Sequence, residues 1–157
     1  MRSAMIGAVV VLLGAAAQDT GGGMKAEILV KPGDIKWMDG PPSLPPGAKV
    51  ALLSGDPAKE GLFVMRIKMP ADYKIMPHTH PGDEHVTVIS GALFISRGDA
   101  FDPSKAKELP EGSYAMLPGK TNHFAFAKAE TVVQLNSVGP WGITYLNPAD
   151  DPRKEKK

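Results

Sequence analysis

The chain has 157 residues, 43% hydrophobic and 22% charged, the size and balance of one ordinary soluble domain. Its 18 basic and 17 acidic residues nearly cancel, so no long-range field selects for nucleic acid or an anionic surface. The absence of cysteine excludes disulfides, thiolate metal sites, cysteine nucleophiles and a thiol-borne lipid anchor, so an exported form must rest on packing, a metal or oligomerisation.

Residues 1–17 read as a secretory signal peptide. Arg2 supplies the positive start, an apolar run follows from Ala4, and Ala15-Ala16-Ala17 offers an A-x-A cleavage site. An uncut N-terminal anchor is the alternative. Cleavage would leave 17 basic and 17 acidic residues, since Arg2 is the one charge removed, and a chain that is secreted or periplasmic with no remaining membrane segment. Residues 18–24, with the run DTGGG, read as a flexible joint, 25–149 as one folded domain, and 150–157 as a charged tail expected to fray.

Within the domain, 26–30 suggests a short strand. Residues 39–47, DGPPSLPPG, cannot pair as a central strand because proline lacks the amide donor, so they read as a surface loop. Short apolar segments then recur at 49–53, 62–69, 84–90, 92–97, 113–117, 123–128, 131–137 and 143–146, with turn residues between them. Residues 99–109 form a charged excursion with room for one helical turn. Fifteen prolines and seventeen glycines, with no capped helical period, indicate an all-β sandwich or barrel of antiparallel strands.

The informative tripeptide is His78-Thr79-His80. In a strand, residues i and i+2 share a face, so both imidazoles can reach one point, and Glu84 falls at an even spacing beyond them. Imidazole with carboxylate suits first-row divalent metals. Pro77 and Pro81 bracket the pair and stiffen it. By itself an H-x-H pair is a weak signal, more often an exposed pair than a metal site.

The run His78-Thr79-His80-Pro81-Gly82-Asp83-Glu84, with Gly91 after six further residues, resembles the first motif of the cupin family, H-x-H-x(3,4)-E-x(6)-G. Gly112 and Pro118-Gly119-Lys120-Thr121-Asn122-His123 resemble its second, G-x(5)-P-x-G-x(2)-H. The likeness spans roughly residues 60–140. Three positions depart from the pattern: Asp72 and Lys120 stand where glycine is usual, and Ala127 where asparagine is frequent. The resemblance implies a jelly-roll β-barrel, often a homodimer, with one divalent transition metal held by His78, His80, Glu84 and His123 and open positions left for other ligands. No catalytic group beyond those ligands is implied.

His85 should point away from Glu84 across the strand, as a surface or supporting group. Tyr73, Met76, Phe94, Met116, Phe126 and Trp141 are pocket candidates, each more readily explained as barrel core; Phe126 and Trp141 stand out by following His123 and the next strand closely. Gln134 and Asn136 share one face of a strand and bind a substrate if that face is the interior. Asp83 is a turn residue, or an acid or base beside the metal. The function expected is an exported mononuclear metal cupin of the oxygen-dependent oxidoreductase type, a dioxygenase or oxidase using iron, manganese or copper on a small organic or carbohydrate substrate. The alternatives are a non-catalytic metal-dependent binding or sensory module, and a non-redox isomerase or lyase using zinc or nickel.

Overall fold

A computed structural model describes residues 26–154. The signal peptide assigned to 1–17, the joint at 18–24 and the last three residues of the tail lie outside the described residues.

Alternating sequence becomes strand throughout. β1 (Met38–Asp39), β2 (Lys49–Ser54), β3 (Gly61–Met69), β10 (Thr131–Gly139), β5 (Glu84–Ser90) and β8 (Tyr114–Leu117) form one sheet, in the order β1-β2-β3-β10-β5-β8. The second sheet runs β11-β4-β9-β6-β7, built from β11 (Thr144–Tyr145), β4 (Lys74–Thr79), β9 (His123–Phe126), β6 (Ala92–Arg97) and β7 (Lys107–Pro110). Every pairing is antiparallel. Non-consecutive neighbours such as β3 and β10 mark crossovers between the sheets, and the described residues contain only 3-10 turns besides strand.

The inward set of β3 (Phe63, Met65, Ile67, Met69) lies beside Val133 and Leu135 of β10, and these beside Val86 and Val88 of β5, on one face of the sheet within one buried core. Each such side chain contributes about 1.5–3 kcal/mol on leaving water. Ile75, Leu93 and Ala125 complete this core from the second sheet. A smaller aromatic cluster lies on the other side of β6 and β9, where Phe94 and Phe126 stack at 4.8 Å and Phe101 sits 4.9 Å from Phe124. Residues 99–109 therefore do more than the charged excursion expected of them. Phe101 anchors the segment, the helical turn is Pro103–Lys105, and its end pairs as β7.

The proline-rich segment 39–47 is a surface loop fastened to the barrel. Tyr73 donates its hydroxyl to the Pro45 carbonyl at 2.6 Å, Tyr145 donates to that of Ser43 at 2.9 Å, and Leu44 is buried between them. Two expectations are corrected. Residues 26–30 pair with no strand among the described residues, and Leu29 is 81% exposed. The tail is tied down at its start, where Arg153 donates to the Ile143 carbonyl at 3.1 Å and to Asp151 at 2.7 Å.

Strand β4 has no counterpart among the sequence-predicted segments, and its irregularity explains why. Opposite β9 it pairs Ile75 with Ala125 and then His78 with His123, three residues on one strand against two on the other. This bulge at Met76-Pro77 puts Ile75 and His78 on the same inner face despite their odd spacing.

The two non-glycine residues with positive φ among those described are Asp72 (φ 60) and Lys120 (φ 61), the positions where the motif pattern has glycine. Aspartate tolerates this region; lysine has no such compensation. Lys120→Gly is expected to raise the stability of the folded chain by about 1 kcal/mol, read as a higher denaturation midpoint with unchanged m-value.

Candidate metal centre

Four side chains from distant parts of the chain meet at one end of the barrel. His78 is the last residue but one of the bulged β4, His80 follows that strand, His123 opens β9 beside His78, and Glu84 opens β5 in the facing sheet. All four are buried, with 7% exposure or less. The imidazole rings of His78 and His123 lie 4.2 Å apart, and those of His80 and His123 5.2 Å apart.

The orientation of each ring is set by the backbone. Nδ1 of His78 lies 2.7 Å from the Met76 carbonyl, that of His80 2.7 Å from Gly142, and that of His123 2.9 Å from Thr121. A carbonyl oxygen only accepts, so each Nδ1 carries the proton and each neutral ring presents a bare Nε2 lone pair. These lone pairs converge. The His78 and His80 Nε2 atoms are 3.1 Å apart, and donor atoms of all three rings fall within 4.8 Å of one another. The Glu84 oxygens lie 3.6 Å from His80 Nε2 and 3.4 Å from His123 Nε2.

Donors each about 2.0–2.2 Å from a common ion stand roughly 3–3.5 Å apart. The observed separations match, whereas two acceptor nitrogens facing each other at 3.1 Å repel unless a cation lies between them. The residues fit a divalent metal.

The electrostatics agree. Burial brings the His78 imidazole down to about 3 from the usual 6.5, with the charges of His123 and His80 pushing the same way. Burial also lowers His80, against the pull of Glu84. For Glu84, burial pushes the carboxyl up but is outweighed by its interaction with the His123, His80 and His78 rings, which hold it below the usual range. At neutral pH His78 and His80 are therefore neutral and Glu84 is a carboxylate, the protonation states that metals require.

The two ligand-bearing turns are joined by backbone contacts. Lys120 N–H donates to the His80 carbonyl at 2.7 Å, and Gly119 N–H donates to the Asp83 carboxylate at 2.8 Å. A Cβ on Gly119 would lie 2.8 Å from the Pro81 carbonyl oxygen and 2.9 Å from the Gly82 carbonyl carbon, so only glycine lets the turns close. Asp83 is thus a brace between the turns, and its own carbonyl accepts from Ser137 at 2.6 Å.

The other candidate residues scatter. Trp141 stacks on His80 at 4.4 Å with 15° between planes, and its buried indole N–H has no acceptor among the described residues. An unpaired buried donor costs about 1–3 kcal/mol. Tyr73 is core and loop anchor. Phe126 lies in the outer aromatic cluster, on the opposite face of β9 from His123, because it is three residues further along. Gln134 and Asn136 alternate with the inward Val133 and Leu135 and so face outward. Gln134 accepts from Arg66 at 3.2 Å, and Asn136 lies beside His85 and Asp83 on the outer surface. Of the five proposed substrate contacts, the structure brings only Trp141 against the cluster. His85 points outward as expected, 2.6 Å from the Tyr114 hydroxyl. The role of Gly142 as acceptor for His80 carried no sequence signal, since a backbone carbonyl is offered by any residue.

Two consequences can be measured. His78 holds its proton less tightly folded than unfolded, and so does Glu84, so the unfolded chain takes up protons first as pH falls. Stability of the metal-free protein should be full above about 6.5 and decline progressively toward about 3, seen as a falling melting temperature across that window. Separately, His80→Ala and His123→Ala should each lose bound metal by elemental analysis, and Gly119→Ala should do so with every donor still present.

Solved structures share this architecture. The polyketide cyclase RemF from Streptomyces resistomycificus aligns with a TM-score of 0.64 at 14% identity, over 82% of this chain and 91% of that one. An acetylacetone dioxygenase from Acinetobacter johnsonii aligns at 0.60 and 19%, over 74% and 77%. An RmlC-like cupin from Shewanella frigidimarina aligns at 0.56 and 15%, over 72% and 91%. At such identities the likeness is one of fold. Comparison with curated proteins gives no match. Residues 25–141 match the family model of the ChrR cupin-like domain, and with that span and this fold the chain belongs to the cupin superfamily.

Proposed function

We propose that this chain is an exported, metal-dependent oxidoreductase that consumes dioxygen while acting on a small, mainly apolar organic molecule. The observation that carries the reading is the donor set. Three Nε2 atoms and a carboxylate, with no thiolate, suit iron, manganese or copper at His78, His80, Glu84 and His123. A metal bound there would supply redox chemistry that the protein's own side chains lack. The backbone carbonyls of residues 76, 121 and 142 keep the rings aimed, and the apolar barrel keeps bulk water from the donors. Export rests on the character of residues 1–17.

The substrate class follows from a cleft of about 460 Å³ on the His80 side, within the range of small-molecule sites. Met38, Val50, Leu52, Met65, Pro57 and Trp141 line it, so Trp141 is shared between cleft and ligand ring. The carboxylates at its edge, Asp39 and Asp56, are paired with Lys49 at 2.6 Å and Lys59 at 3.1 Å. Such a wall suits an aromatic or aliphatic body and leaves the hydroxyls of a carbohydrate without partners. A dioxygenase among the similar folds supports this reading.

Protein purified from the periplasm should contain one redox-active metal per chain and consume oxygen when offered small aromatic or carbonyl compounds. Zinc as the sole metal, with no oxygen uptake across such a panel, would overturn the reading. Leu52→Asp, which places a charge in the cleft away from the donors, should raise the apparent KM for the organic substrate about tenfold or more while metal content holds.

A further inference from the structure

The barrel interior beyond the donors is not completely filled. A second cavity, of about 40 Å³, is walled at one end by His78, Glu84 and His123 and elsewhere by aliphatic side chains and the Met69 thioether. Its wall residues are buried apart from the half-buried Ile95. His80 is not among them, since its ring turns toward Trp141 and the larger cleft. Three of the four donors thus border a small buried space, and the fourth is parted from the wide one by the Trp141 ring stacked on it.

Size and polarity decide what the small space can take. It is too small for the organic molecules that the 460 Å³ cleft admits, yet exceeds the roughly 10–15 Å³ that one water needs. A stable water also needs two to four polar partners. The donor atoms at one end point to the metal position, and the remaining wall is hydrocarbon and sulfur. A space of this kind stays dry and takes small apolar species.

We propose that this cavity is a binding site for a small apolar gas, dioxygen in the working enzyme, held against the donor side chains from inside the barrel while the organic molecule enters from the His80–Trp141 side. Ile95 also lines a surface cleft between β6–β7 and β8. The identity of the gas rests on the oxygen-dependent reading; the existence of the site does not.

Xenon is the probe, applied under pressure to crystals of the metal-containing full chain. One anomalous peak is expected inside the cavity. Val133→Ile on β10 and, independently, Val86→Ile on β5 each add a methylene to its wall, and both should abolish the peak while leaving metal content by elemental analysis unchanged. Two variants on separate strands keep the test decisive should one fail to fold. A cavity without xenon, an ordered water hydrogen-bonded to Glu84 in its place, or a peak that survives both substitutions would overturn the proposal. Xenon uptake by a protein that binds no redox-active metal would uphold the cavity and sink the oxygen-dependent reading, so the two stand or fall separately.

Discussion

Mutual repulsion among electron-rich atoms is the constraint around which this molecule is organised. Three imidazole nitrogens and a carboxylate are aimed at one point inside an apolar barrel, with the two nearest nitrogens 3.1 Å apart. Such an arrangement is costly unless a cation occupies the centre. The rings cannot relax by exchanging protons, because each Nδ1–H is engaged by a carbonyl of the local backbone. Packing strength, ring orientation and protonation state all serve the same end: to keep donors together that would otherwise separate.

Holding them takes both sheets. His78 and His123 are cross-strand neighbours, whereas Glu84 comes from the facing sheet, so their relative position depends on how the two sheets and their turns are joined. The contact of Gly119 and Lys120 with the turn at residues 80–83 makes that join, and it is made almost wholly by backbone. This explains how the chain tolerates a displaced glycine. Gly119 allows the close approach, and Lys120 takes the left-handed conformation at φ 61. The proline-rich loop, pinned by two tyrosine hydroxyls, forms part of the cleft wall on the His80 side.

The surroundings of the donor cluster are asymmetric, and the asymmetry is chemical. One side lies against Trp141, which also walls a broad apolar cleft, and the other borders a buried, mainly hydrocarbon space inside the barrel. The stacking of Trp141 on His80 is kept although it leaves an indole N–H unpaired. Local unfavourable features of this kind concentrate where a side chain serves a site as well as the core.

Much was legible in the residue order alone. Strand alternation in β3, β5 and β10 follows from period-2 burial and reads directly as all-β structure. The i, i+2 spacing of His78 and His80, with Glu84 at an even offset, let those side chains be read as sharing a face, whereas His123 joined them only through the resemblance to the second cupin motif. Strand β4 was hidden because its bulge breaks the alternation that reveals strands. The misplaced pocket residues share one cause: Phe126, Gln134 and Asn136 are near the site in sequence, but which face of a strand turns inward is set by the partner sheet. Tertiary structure alone decided that Gly142 would orient His80, that Asp83 would brace a turn 36 residues away, and that a buried cavity would border three donors and not the fourth. Each of these depends on contacts between segments far apart in the chain, where a backbone carbonyl or an unfilled volume leaves no mark on residue identity.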